Sequence, residues 1–194
     1  MTPPLVLLDV DGVLNALGRG RERAGDWGDW QQGWATADGT RWPITWSPTV
    51  VERLAAWHSE CRLELQWLTT WGHDANAELR DLLGLPQLTV AGTYSDEDSD
   101  GAAASGATSH AAAAPSAPDP LSGRWWKYDV VRRVLAEQPD REVLWVDDEL
   151  QPRSPFRRWA DEQPNLHAIG PDPAIGLREV DLAAMVIVMQ QRTA

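Results

Sequence analysis

Short, continuous runs of apolar residues divide the chain into candidate strands of a buried parallel sheet. The clearest continuous run is 5–10, the segments 63–68 and 142–146 predict two further strands, and each of the three is followed by polar or turn-forming residues. An uninterrupted apolar run of this length, bounded by a turn signal, is typical of a strand that is covered on both faces. Two weaker runs, 88–91 and 166–169, predict a short third strand and an edge strand.

Segments with helical spacing of their apolar residues separate these strands. Ser47 followed by Pro48 is a typical helix start, and Gly84 is a typical helix end. Strands that alternate with helices predict an α/β protein with a mostly parallel sheet flanked by helices. The predicted helices cover about 48–61, 74–83, 125–137, 155–161 and 177–190.

Two segments break this alternation. Residues 15–47, directly after the first strand, have no single period and are rich in Trp, and the pair Asp38-Gly39 within them predicts a hairpin turn. Residues 95–123 open with an acidic run and continue as almost pure Ala, Ser, Gly and Pro. Such a composition buries too little apolar surface to fold, so we predict a disordered linker within a single domain of 1–194.

Composition and charge limit the class of protein. The 194 residues are 43% hydrophobic and 24% charged, which suits one globular domain. The net charge of −12 leaves no excess of cations for broad nucleic-acid affinity. The single cysteine, Cys61, excludes an internal disulfide and a cysteine-rich zinc site. No targeting or membrane-spanning segment is visible, so we expect a cytoplasmic protein.

Polar residues follow three of the predicted strands, at the edge where α/β sheets bind ligands. Clustered carboxylates are unfavourable unless a cation neutralises them, and Mg²⁺ is the natural candidate because it prefers oxygen ligands. The sequence therefore predicts a magnesium site at this edge. The polar residues are Asp9 and Asp11 after the first strand, Thr69 and Thr70 after the second, and Asp147 and Asp148 after the strand at 142–146.

The spacing of Asp9 and Asp11 suits a covalent mechanism. Residues i and i+2 of a strand project to the same side, so one carboxylate can attack phosphorus while the other passes a proton to the leaving group. An aspartyl-phosphate route needs a metal ion, a cation that holds the phosphate, and a hydroxyl or amide donor. Thr69 can supply the donor, and Lys127, the only lysine in the chain, can supply the cation.

These motifs, in this order, resemble those of the haloacid dehalogenase (HAD) superfamily. The stretch Asp9-Val-Asp-Gly-Val-Leu-Asn15 is similar to the first motif, Thr69 to the second, Lys127 to the third and Val146-Asp-Asp148 to the fourth. Two further stretches are similar to the HAD domain of "Swiss Army Knife" RNA-repair proteins: Trp67-Leu-Thr-Thr-Trp71 and Leu144-Trp-Val-Asp-Asp-Glu149.

The resemblance implies a role for each motif residue. Asp9 is expected to be the nucleophile and a metal ligand, and Asp11 the general acid/base, with its backbone carbonyl on the metal. Thr69, with Thr70 as the fallback, is expected to bind the transferred phosphoryl group, and Lys127 to neutralise its charge. Two residues are expected to complete the Mg²⁺ site, directly or through water: Asp147 and Asp148.

The resemblance also implies a Rossmann-like HAD fold and a Mg²⁺-dependent phosphohydrolase. The expected substrate is phosphorylated, such as a nucleic-acid end or a nucleotide. A phosphotransferase or a small-molecule phosphatase uses the same residues and stays an alternative, and a non-catalytic binding module of this fold is a third.

Insertions after the first motif act as caps in this superfamily, so we expect residues 15–47 to form a small Trp-rich cap. We favour the interpretation that its Trp residues form a small core of the insertion. The alternative is a flap over the active site that stacks on a base or sugar. The Trp residues in question are Trp27, Trp30 and Trp34, which fall at helical spacing, and Trp42 and Trp46, which flank the predicted hairpin.

Overall fold

A computed structural model of the protein describes residues 2–18, 27–94 and 121–190. The predicted linker lies outside the described residues except for 121–123, and residues 19–26 of the predicted cap also lie outside them. Among the helices of the described ranges, none has the length and apolar character needed to cross a membrane.

In the described residues, five parallel strands form the central sheet, and two more form a separate antiparallel hairpin. The strands are β1 (Leu5–Leu8), β2 (Gln31–Ala37), β3 (Thr40–Trp46), β4 (Glu64–Trp67), β5 (Thr89–Val90), β6 (Val143–Val146) and β7 (Leu166–Ile169). The sheet runs in the order β5-β4-β1-β6-β7, and β2 pairs with β3. The predicted α/β class with a parallel sheet is confirmed. The first strand is two residues shorter than its apolar run, because the chain turns out of the sheet after Leu8.

Within the described ranges, five α-helices connect the strands close to their predicted positions. They are α1 (Pro48–Ser59), α2 (Arg80–Leu83), α3 (Trp126–Glu137), α4 (Pro155–Asp161) and α5 (Glu179–Gln190), and a π-helical turn over Ala75–Leu79 leads into α2. Ser47 caps α1 as its sequence predicts, with its hydroxyl accepting a hydrogen bond from the N–H of Val50. Gly84 ends α2 in the left-handed conformation, with φ of 75°.

Both faces of the sheet are buried, which explains the uninterrupted apolar run of β1. Val6 and Leu8 point into a cluster formed with α1, α5 and the hairpin, whereas Leu5 and Leu7 point into a second cluster formed with α3 and α4. All four side chains are fully buried. The layers hold β1 at the centre of the sheet, so its carboxyl end is fixed between those of β4 and β6.

The hairpin turn falls at the predicted Asp38-Gly39, where both residues have positive φ, as a tight two-residue hairpin turn requires. The helical spacing of the Trp residues does not produce a helix, because Trp34 lies in β2 and pairs with β3. The interpretation of the Trp residues as a core is also wrong for two of them, since Trp34 and Trp42 are 56% and 50% exposed. Trp46 is buried as expected.

The hairpin is tied to the rest of the fold at its base and near its tip. At the base, the N–H of Ala16 donates to the carbonyl oxygen of Thr45 at 2.8 Å. Near the tip, the N–H of Thr36 donates to Glu78 at 3.0 Å, and the N–H of Asp38 donates to Asp74 at 3.0 Å. The hairpin therefore has a defined position beside the carboxyl end of β1.

Candidate active site

The sheet register places the first and fourth motifs side by side. Leu8 of β1 pairs with Val146 of β6, so the residues that follow them, Asp9 and Asp147, leave adjacent strands at the same edge. The N–H of Asp9 donates to the carbonyl oxygen of Val146 at 3.0 Å. Both carboxylates are buried, with exposures of 6% for Asp9 and 0% for Asp147. The ends of β1 and β6 thus place Asp9 and Asp147 side by side in a buried position.

Lys127, in the first turn of α3, lies between these two carboxylates. Its Nζ is 2.6 Å from Asp9 Oδ2 and 2.7 Å from Asp147 Oδ2. Burial alone would lower the pKa of Lys127, but the charges of Asp9 and Asp147 outweigh burial and raise its pKa above the ordinary value. The lysine is therefore a permanent cation against the predicted nucleophile.

Asp148 completes a group of three acids that could hold a metal ion. Oxygen atoms of Asp9, Asp147 and Asp148 lie within 4.8 Å of one another. One lysine cannot neutralise three carboxylates, and burial together with the charge of Asp9 raises the pKa of Asp147 to about 7 and that of Asp148 to about 6. This unbalanced, oxygen-only donor set fits Mg²⁺, which prefers such ligands and would supply the missing positive charge.

Gly12 makes room for this group. Its φ of +73° is one that residues with side chains rarely adopt, and it lets the chain turn sharply after β1. A Cβ at this position would lie 2.5 Å from Cγ of Asp148. Any larger residue would therefore strain the turn and displace an acid of the cluster.

Asp11 lies outside the acidic group, and both of its carboxylate oxygens accept hydrogen bonds. Asn15 Nδ2 donates to Oδ1 at 2.7 Å, and Trp71 Nε1 donates to Oδ2 at 2.9 Å. The N–H of Thr45 donates to Asn15 Oδ1 at 2.9 Å, which fixes the amide so that its NH₂ group faces Asp11. The carboxylate of Asp11 is therefore oriented from two sides.

The two threonines of the second motif have different environments. Thr69 is buried at the end of β4, and its Oγ1 accepts a hydrogen bond from the N–H of Trp71 at 3.4 Å. Thr70 is exposed and lines a cleft of about 250 Å³ that also borders Asp11 and Trp42. The structure thus brings Asp9, the lysine and the acidic pair together, and sets Thr70 beside Asp11.

Sequence reasoning did not assign a role to Asn15 or Trp71. Asn15 carries a usable signal, because it lies four residues after Asp11 in a tight turn, where side chains can meet. Trp71 carries none, since it reaches Asp11 only because β4 is a neighbour of β1 in the sheet. Strand order of this kind cannot be read from apolar periodicity.

The parallel sheet with a lysine-bridged pair of aspartates at its carboxyl edge agrees with the HAD class of α/β domains, which the motifs resemble. The family model described as "HAD domain in Swiss Army Knife RNA repair proteins" matches residues 5–182, and the chain belongs to this family. Membership supports HAD-type hydrolase chemistry in general. No curated protein and no solved structure matches the chain.

Proposed function

We propose that this protein is a Mg²⁺-dependent phosphohydrolase that works through an aspartyl-phosphate on Asp9. The observation that carries the proposal is the position of Lys127, in contact with both Asp9 and Asp147. A permanent cation beside the attacking carboxylate can bind the phosphoryl oxygens as their charge develops. A lysine placed only to stabilise the fold would not need a third carboxylate, that of Asp148, close to its two partners.

The residues that would hold the metal are Asp9, Asp147 and Asp148. Both oxygens of Asp147 already accept hydrogen bonds, from Lys127 and from the N–H of Glu149. The Asp148 carboxylate, in contrast, accepts a hydrogen bond from its own backbone N–H, and the described residues offer it no side-chain donor, so we assign Asp148 as the freer direct ligand. Bound Mg²⁺ would neutralise charge on the phosphoryl group. Participation of the main-chain carbonyl of Asp11 stays a prediction.

Asp9 and Asp11 divide the chemistry in the proposed reaction. An oxygen of Asp9 forms a bond to phosphorus, and the bond from phosphorus to the leaving oxygen breaks with its electron pair on that oxygen. The leaving oxygen takes a proton from the carboxyl group of Asp11. Asp11, now a carboxylate, then removes a proton from water, whose oxygen attacks phosphorus and frees phosphate and Asp9. Thr69, or Thr70 in its place, would donate a hydrogen bond to the phosphoryl group.

We propose a phosphorylated nucleic-acid end as the first substrate class and a nucleotide as the second. The family description refers to RNA repair, which supports an RNA end. The net charge of −12 argues against broad affinity along a nucleic-acid chain, so recognition would be confined to the terminus. A phosphotransferase would use the same residues with a hydroxyl group in place of water.

Phosphate release from nitrophenyl phosphate tests the chemistry, with Mg²⁺, with EDTA and with Asp9→Asn. We expect metal-dependent turnover that EDTA and Asp9→Asn abolish, while Asp140→Asn, an equivalent change at an exposed position, leaves it intact. Turnover that survives in both EDTA and Asp9→Asn would contradict the mechanism. RNA carrying 3′- or 5′-phosphate, compared with mononucleotides at equal concentration, would then separate the two substrate classes.

A further inference from the structure

The cleft beside Asp11 is lined by aromatic and hydroxyl-bearing side chains that have no part in the proposed bond-making steps. Its walls come from the hairpin, through Ala37, Asp38, Thr40 and Trp42, and from the loop after β4, through Thr70 and Trp71. The volume of about 250 Å³ is enough for one ring system but not for a long chain. Because Asp11 borders this cleft and would protonate the leaving group, the cleft is where the leaving group would lie.

Trp42 forms an exposed aromatic wall of the cleft. It lies opposite Ala35 in the β2–β3 ladder and therefore points to the same face of the hairpin. On that face Ala35 and Ile44 are buried against the core, whereas Trp42 extends past the core and remains 50% exposed. Within the described residues, no aromatic ring and no cation stacks on its indole.

Trp34 is the natural comparison, because it is a second exposed indole on the same hairpin. It lies on the opposite face, since it is next to Ala35 in β2 and successive strand residues alternate. The guanidinium group of Arg41 lies over the ring of Trp34, 4.8 Å from its centroid. The two indoles are equally accessible, but only Trp42 borders the cleft.

The polar part of the cleft restricts the charge of its occupant. The carboxylates of Asp11 and Asp38 both border it, and the described lining contains no cation. The Asp38 carboxylate would repel a second anionic group there even while Asp11 carries the proton for the leaving group, whereas the hydroxyl groups of Thr40 and Thr70 can hydrogen-bond a neutral ligand. The backbone bond from Asp38 to Asp74 holds this wall in place, so the cleft is formed before a ligand binds.

We propose that Trp42 determines specificity by stacking on a planar, uncharged ring in the leaving group of a phosphate monoester. This inference rests on the proposed phosphohydrolase function and adds the chemical class of the leaving group. The ring stacks against the indole, while the ester oxygen that carries it faces Asp11. Monoesters whose leaving group places an uncharged ring, such as a nucleobase, near the ester oxygen are then preferred over those of small aliphatic alcohols.

A pair of alkyl esters tests the proposal with matched leaving-group chemistry. We would compare kcat/KM for 2-phenylethyl phosphate and ethyl phosphate, whose alcohols leave with similar ease but differ in the ring. Trp42→Ala should lower the ratio of the two values by about tenfold, the size expected for loss of one ring stack. Trp42→Phe should retain most of the ratio, and Trp34→Ala, the matched control, should leave it unchanged.

The possible outcomes separate this inference from the function on which it rests. A Trp42→Ala ratio equal to that of the wild type, or equal losses for both esters, would overturn the specificity role while Asp9-dependent turnover still stood. Turnover that persists in Asp9→Asn would overturn the proposed function and this inference with it. Calorimetric binding of 2-phenylethyl phosphate to Asp9→Asn, with and without Trp42→Ala, gives a readout without turnover: a Kd unchanged by Trp42→Ala would also overturn the inference.

Discussion

The acidic cluster and the neighbouring cleft differ in almost every physical respect, although Asp9 in one and Asp11 in the other are two residues apart. In the cluster, the charged groups of Asp9, Lys127 and Asp147 are buried and in direct contact. In the cleft, Thr70 and Trp42 are exposed and border open space. The difference teaches that Asp9 and Asp147, in the cluster proposed to form the bond to phosphorus, are held by adjacent strands of the sheet. Trp42, proposed to select the leaving group, stands on a hairpin outside that sheet.

The largest effect is expected from Lys127→Met, which removes the cation from the buried cluster. We expect turnover to fall at least a thousandfold and the free energy of unfolding to fall by about 3–5 kcal/mol, because the buried carboxylates lose their partner. Thermal unfolding and phosphate release would measure the two effects. Exposed Arg132→Met in the same helix is the control, and a Lys127→Met protein as stable as wild type would contradict a charged cluster.

An intermediate effect is expected from Trp71→Phe, which keeps a smaller aromatic ring but removes the N–H that orients Asp11. Protonation matters most when the leaving group is a poor one, so kcat/KM should fall about tenfold for an alkyl phosphate and much less for nitrophenyl phosphate. Trp57→Phe, at another buried indole away from the site, should change neither value. Equal losses for both esters would indicate a general disturbance of the fold instead.

The smallest effect concerns the pH dependence of stability in EDTA. Asp147 and Asp148 have pKa values of about 7 and about 6, above the ordinary 3.8, so the folded state binds protons more tightly than the unfolded state. The stability gained from this protonation is present below about pH 4 and is lost as pH rises towards 7. We therefore expect Tm to fall between pH 5 and pH 8 in EDTA.

Added Mg²⁺ and two Asp→Asn variants test the cause of this change in Tm. Mg²⁺ added at pH 8 should restore Tm, because a bound cation replaces the protons that the acids have released. Asp148→Asn removes one of the two titrating acids and should make Tm depend less steeply on pH. Asp140→Asn should leave the slope of Tm against pH unchanged. A Tm that rises between pH 5 and pH 8 in EDTA would contradict the raised pKa values.

The sequence predicted the parts of the fold that depend on burial and on local capping. The run at 5–10 is apolar because β1 has a covered face on each side, and Ser47-Pro48 starts α1 through a local hydrogen bond. The helical spacing of Trp27, Trp30 and Trp34 did not indicate the secondary structure, because the pairing of β2 with β3 overrides the spacing of large side chains. Exposure of Trp34 and Trp42 could not be read from residue type, since indoles are usually buried.

The candidate site was predictable to a similar extent. Asp9 and Asp147 could be placed together because every strand of a parallel sheet ends at the same edge. The contact of Trp71 with Asp11 depends on strand order and on a loop conformation, neither of which leaves a pattern in the residues. Sequence therefore identified the acids and the lysine, and the structure was needed to find the groups that orient them.

The hairpin has a consequence for how readily this domain could be modified. Because β2 and β3 form a two-stranded sheet of their own, replacing them leaves every hydrogen bond of the five-stranded sheet in place. The link from the hairpin to Asn15, and through it to Asp11, uses the backbone N–H of residue 45, which every amino acid except proline provides. The exposed side chains of the hairpin, such as Trp42, can thus be redesigned for new substrates while the buried side chains and the orientation of the acid are retained.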